Sequence, residues 1–155
     1  MSLPDLAGVR HSICQHLLTE LNGQIALDRI AYENRVFATP TLYEPLTNLP
    51  TLWIRETFFV ISEDNRALQL HEARGRTLFE VFYPVGKGTE RPEAVRQLIA
   101  EAFEKKYGLT NIEGLAVHLD KVVRGDSRAT DELWYAAPIS IYWRTYSVAT
   151  ANRTT

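Results

Sequence analysis

Three segments of this chain alternate their side chains in the two-residue rhythm of a β-strand, the first of them apolar on both faces, and that restricts the fold more than any other feature. Leu52 to Ser62 sets Leu52, Ile54, Phe58 and Val60 against Trp53, Phe59 and Ile61. Ala67 to Tyr83 sets Phe79, Val81 and Tyr83 against Leu78, Glu80 and Phe82, with a bend or bulge expected where Gly75 interrupts it. In Leu133 to Tyr146, Ile139, Ile141 and Trp143 alternate with Ser140, Tyr142 and Arg144, and Pro138 marks an edge position or a bulge. A strand apolar on both sides must be covered on both sides.

Two amphipathic helices supply cover. From Pro4 to Asn22, the residues Leu6, Val9, Ile13, Leu17 and Leu21 form one stripe, with Ser2 as the expected cap, Pro4 in the first turn and Gly23 as the stop. From Thr89 to Tyr107, Val95, Leu98, Ile99, Ala102 and Phe103 form another, with Thr89 capping, Glu101 pairing with Lys105 and Gly108 ending the helix. Shorter strands are expected at Ile25 to Glu33 and Leu115 to Val123, and polar turns at Ser62 to Arg66 and Arg124 to Arg128. Between Asn34 and Pro50, the prolines 40, 45 and 50 forbid regular structure, and the length exceeds an ordinary connection, so this is an arm.

The reading is therefore an α+β fold of order α-β-β-β-α-β-β, with two helices packed on a predominantly antiparallel, mixed β-sheet. With 155 residues, 45% of them hydrophobic, one core is expected: a single domain over residues 1–148, then a small polar tail at 149–155 that should be disordered. The aromatics Trp53, Phe58, Phe59, Phe79, Phe82, Tyr83, Trp134, Tyr135, Tyr142 and Trp143 exceed what two helices can hide. Association with other copies accounts for that excess, and an oversized monomer core is the alternative.

A formal net charge of -2 with 23% charged residues gives no field to gather nucleic acid or anionic lipid. The N-terminus lacks the basic-then-apolar pattern of a leader, and no stretch reaches the roughly 20 apolar residues of a membrane span, so a protein of the cytoplasm is expected. Asn152-Arg153-Thr154 is then a chance sequon, and lone Cys14, among Ile13, Leu17 and Leu18, reads as a small buried apolar residue.

Chemistry-bearing constellations are weak. His71 and Glu72 point to opposite sides of a strand, and His118 with Asp120 shares a face opposite the apolar residues. His11 and His16 diverge on their helix, which leaves no metal site. Gly86-Lys87-Gly88-Thr89 looks like a phosphate turn, yet Val81 stands where the motif needs glycine and Gly88 where it needs Ser or Thr; no cofactor is implied. Tyr142-Trp143-Arg144-Thr145-Tyr146 suits base stacking or a protein interface, and burial of Trp143 would leave Tyr142, Arg144 and Tyr146 as a flat interface strip.

Taken together, Ile30-Ala31-Tyr32-Glu33-Asn34, Phe37 and Pro40, Trp53-Ile54-Arg55, Gly75 before Phe79, Tyr83-Pro84-Val85-Gly86-Lys87-Gly88, the helix residues Ala94, Leu98, Ala100 and Phe103, and Trp134 with Pro138-Ile139 form a recognisable set. It resembles the tail terminator, or tail completion, proteins of long-tailed phages, the group that includes the minor tail protein U of lambda-like phages, and is most similar to a prophage-encoded branch. The resemblance spans roughly residues 4–146 and implies no catalytic residues. It implies a virion protein, assembled in the host cytoplasm, that forms a hexameric ring on the finished tail tube and meets a head completion protein. On this reading the interface candidates are Tyr32, Glu33, Asn34, Phe37, Trp53, Arg55, Arg124, Arg128, Tyr142 and Arg144. A head completion or tube subunit, or a small-ligand or enzymatic domain near His71 and His118, are the alternatives.

Overall fold

The computed structural model describes residues 4–67, 70–104, 108–110 and 116–148. Helix α1 (Leu6–Glu20) leads into a short 3-10 turn (Leu27–Arg29), strands β1 (Ile30–Ala31), β2 (Trp53–Ala67) and β3 (Leu70–Pro84), and helix α2 (Glu90–Glu104). Strands β4 (Gly108–Thr110), β5 (Ala116–Arg124), β6 (Arg128–Ala129) and β7 (Trp134–Val148) complete the order. The fold is α+β, as the sequence indicates, and the sheet runs β1-β2-β3-β7-β5-β4 with β6 added to β7. Among the described residues, only β1 with β2 is parallel.

The helical stripes form as their spacing predicts: Val9, Ile13, Leu17 and Leu21 are buried, as are Val95, Ile99 and Phe103. They pack on Ile54, Phe79, Val81, Ile139, Ile141 and Trp143, the helix-facing side of the sheet. His16 clamps the two helices, its Nε2 lying 2.9 Å from the Ala102 carbonyl and its ring edge-on to Phe103. Two details differ. The cap of α1 is Asp5, whose carboxylate accepts from the Gly8 amide at 2.9 Å; this shifts the helix start past both Ser2 and Pro4. Leu98 is 37% exposed and Ala100 takes the buried place, because the stripe turns with the 3.6-residue period. Glu101 receives a bond from Gln97; its expected partner Lys105 and the tail at 149–155 lie outside the described residues.

The strands depart further from expectation. The strand expected at 25–33 shrinks to Ile30–Ala31, bounded before by the 3-10 turn Leu27–Arg29 and after by Asn34, which adopts φ 58. Ser62 to Asn65 are not a turn: β2 continues through them in register with β3. The bulge falls beside Gly75 but in the partner strand, at Ile61, between the pairs Val60 with Gly75 and Ser62 with Arg74. Gly75 answers a different need. A Cβ there would stand 2.1 Å from the Phe59 carbonyl oxygen and 2.3 Å from Cζ2 of Trp143, so the indole occupies the space a side chain would take.

Pro138 lies in a central strand, not at an edge. On one side it pairs with Glu80; on the other it falls in the gap between β5, which ends opposite Ile139, and β6, which starts opposite Ala136. No ladder amide is required in that gap, and the Pro138 carbonyl accepts from Gly125 at 3.1 Å.

Candidate protein-interaction site

The entrance to the arm is built on a buried carboxylate. Glu56 occupies the β2 position between Ile54 and Phe58, on the helix-facing side, and is fully buried. Arg10, one turn into α1, donates to it through Nε at 2.7 Å and again through Nη2, and reaches Glu33 at 3.4 Å. The Glu33 amide also donates to Glu56, at 3.4 Å, while the Glu33 carboxylate accepts from the amide of Phe58 at 3.3 Å. The candidate Glu33 is thus tied into one knot with Arg10 and Glu56, Tyr32 lines the cavity beside it with Arg10 and Cys14, and Asn34, at φ 58, turns the chain out of it. The bond to Glu56 holds the Arg10 proton more firmly than usual. Burial, followed by the Glu56 charge, pushes the Cys14 thiol up to about 12. Burial also raises the Tyr32 phenol. Sequence reading missed Glu56 and Arg10; the one signal was a carboxylate interrupting the apolar alternation of β2, which a buried strand tolerates only with a partner.

Past the knot, the arm folds back over the face of the sheet opposite the helices. Phe37 stacks on Trp53 with centroids 5.3 Å apart, Trp53 stacks on Phe82 at 4.1 Å, and Trp134 stands edge-on to Trp53 at 5.8 Å. With Ala31, Ala136 and Leu42 they form a second apolar cluster. Trp53, at 6% exposure, belongs to this core and offers no surface. This corrects the expectation that another copy must cover the aromatics: at this end, the chain's own arm does so. Arg55 beside it is exposed, held to Glu80 at 2.9 and 3.0 Å over the Phe82 ring.

The arm is pinned further along. Tyr43 bridges to Pro50, Arg29 pairs with Glu44 at 2.8 Å, and Lys87 lies 5.3 Å from the Tyr43 ring centre. The Gly86-Lys87-Gly88 turn, with φ 83 and 86 at its glycines, thus aims its lysine at the arm. Between these pins the arm presents Leu46 and Leu49 to solvent, Leu46 at 98% exposure, and Val36 is exposed nearer its root. Beneath it runs a cleft of about 740 Å³ lined by Ile25, Leu46, Leu49, Leu52 and Tyr83.

The other half of that outer face carries Tyr142 and Arg144 and is not covered by the arm. Registered rows cross it: Phe59, Arg76, Tyr142 and Lys121 in one, Arg74, Arg144 and His118 in the next. Cations lie over rings, Arg76 at 4.5 Å from Phe59 and Lys121 at 4.7 Å from Tyr142. Arg144 Nε stands 3.0 Å from Asp120 and its Nη1 donates to Tyr146.

Arg124 and Arg128 bound a turn fastened to α2. Arg124 donates to Gln97 at 2.7 Å, Ser127 to Glu93 at 2.8 Å, and Arg96 to the Gly125 carbonyl at 2.6 Å. Arg128 is exposed in β6. The ten candidates therefore do not converge; they fall on the arm root, the outer face and the turn, with Trp53 inside.

Among the described residues, no group of three His, Cys, Asp or Glu residues could hold a metal, and no helix is long and apolar enough to cross a membrane. His71 sits in register with Ser147 and His118 with Arg144, on opposite faces of the sheet, so they do not meet. What the structure defines is an α+β protein with an anchored arm and an open sheet face. A family model described as phage tail terminator protein matches residues 13–143. The chain belongs to the phage tail terminator family: it is a structural protein of a phage tail, in a family of virion proteins. No curated protein matches it. One solved structure is similar over 94% of this chain and 99% of its own length, at 18% identity and a TM-score of 0.67, a likeness of fold.

Proposed function

We propose that this protein closes the end of the finished tail tube as a ring of its own copies, six in number, and provides the joint to the head completion protein. The observation that carries the proposal is the arm. It is fixed at its root by Glu33, Phe37 and Tyr43, yet it holds Leu46, Leu49 and Val36 in water. An ordered segment that exposes large apolar side chains is suited to burial against another protein. In this reading the arm meets the tube along the ring axis, and the clamped turn from Arg124 to Arg128 provides a second axial contact.

A terminator has to bind a tube end without becoming a new end, and a closed ring of head-to-tail contacts meets that requirement. The test is to polymerise purified tube protein with and without this chain and measure tube lengths by electron microscopy. Short tubes with a density at one end are expected, and Leu46→Asp should return lengths to those of tube protein alone. Unchanged length distributions with the wild-type chain would refute the proposal.

A further inference from the structure

We infer that neighbouring copies join by adding the free edge of β2 in one to the free edge of β5 in the next, making one sheet continuous across the contact. This rests on the ring reading above and specifies its lateral interface.

Both edges are open among the described residues. On its outer side β2 is paired only at Ile54 and Arg55, by β1. The next outward amide, Phe58, is taken by the Glu33 carboxylate, and because strand amides alternate in direction, that of Val60 points outward as well. Among the described residues, β4 covers β5 only from Ala116 to His118, leaving Lys121 to Arg124 without an outer strand.

The chemistry of the two edges is complementary. The β2 edge exposes Phe59, Val60 and Ile61, the last at 59%, and then the acids Glu63 and Asp64. The β5 edge exposes Lys121, Val123 and Arg124. Within the sheet, β2 opposes β3, β3 opposes β7 and β7 opposes β5, so β2 and β5 run in opposite directions. In a head-to-tail contact they therefore meet antiparallel, the more stable pairing. That sense sets the apolar stretch of β2 towards Val123 and its acidic end towards Lys121. Asp64 pairs with Glu72 and Lys121 with Tyr142, both on the face away from the helices, so these opposite charges approach on one side of the joined sheet. A long apolar edge left bare invites uncontrolled pairing, and a ring closes it.

The experiment is charge exchange on the full chain, read as the fraction of rings by light scattering after chromatography and as capped tubes by microscopy. Asp64→Lys and Lys121→Asp should each weaken ring formation by about tenfold, and the double variant should recover it, since each contact then regains an opposite pair. Val60→Pro, which removes an outward amide without touching the β3 ladder, should block ring formation while circular dichroism stays unchanged. Single variants that form rings as the wild type does, or a double variant that stays as impaired as the singles, would overturn the edge pairing while leaving tube capping intact. A wild-type chain that forms no ring alone or on tubes would overturn both readings.

Discussion

The outer face of the sheet is solved differently at its two ends. At one end Trp53, Phe82 and Trp134 stack together under Phe37 and Leu42 of the arm, and the aromatics are core. At the other, Phe59 and Tyr142 keep an open side and carry Arg76 and Lys121 on their rings. Both ends look alike as alternating aromatic strands. What separates them is whether a loop from elsewhere in the chain lands on top, and that fixes whether a given aromatic stabilises the protomer or is available to a neighbour.

Substitutions can break this contrast, beginning with the helix-covered side as a reference. Trp143→Ala should cost about 4 kcal/mol, because the indole is fully buried, stacked on Phe58 at 5.0 Å, and shaped to the gap at Gly75. Urea unfolding would measure it. At the arm-covered end, Trp53→Ala should cost about 3 kcal/mol, whereas Tyr142→Ala at the open end should stay within about 0.5 kcal/mol. Equal losses for the two would erase the distinction. Arg144→Ala, on the open face, is accordingly the cleaner probe of assembly, since Trp53→Ala damages the fold first.

The cover itself can be sharpened next. Phe37→Ala should cost about 1 to 1.5 kcal/mol and shift tryptophan fluorescence to the red, as Trp53 gains water. An unchanged spectrum would mean that the arm does not rest on the indole in solution. The smallest effect belongs to Cys14, in the arm-root knot. Its thiol ionises near 9 when unfolded and is held up to about 12 when folded. The folded state thus keeps a proton that the unfolded chain releases, so its contribution to stability is intact below about pH 9 and falls as pH rises towards 12. Cys14→Ser should remove the part of the alkaline decline in urea midpoint that this thiol causes; a slope identical to wild type would discount it.

Much of this molecule can be read from its residues. Spacing located both helices and the three long strands, and Trp143 follows the buried phase of Ile139 and Ile141 as its alternation requires. The errors fall where a distant partner overrode a local signal. Ser62 to Asn65 is polar and looks like a turn, yet β3 pairs with it; Pro138 looks like an edge residue, yet it sits where two short partners leave a gap. The candidate surfaces were legible only as residue types. Tyr32, Glu33 and Asn34 stood out, but their anchor, Glu56 with Arg10, joins positions 46 residues apart, and no local pattern reports such a pair.

By itself, then, the sequence determined both helices, the three long strands and the two-layer α+β plan, because helix and strand periodicity are properties of neighbouring residues. Tertiary structure alone decided which aromatics are core and which are surface. It alone turned the proline-rich segment into a cover and placed a buried ion pair at its root. Those outcomes depend on which side chains meet across the fold, and burial free energy is set by the completed contact rather than by either partner's type.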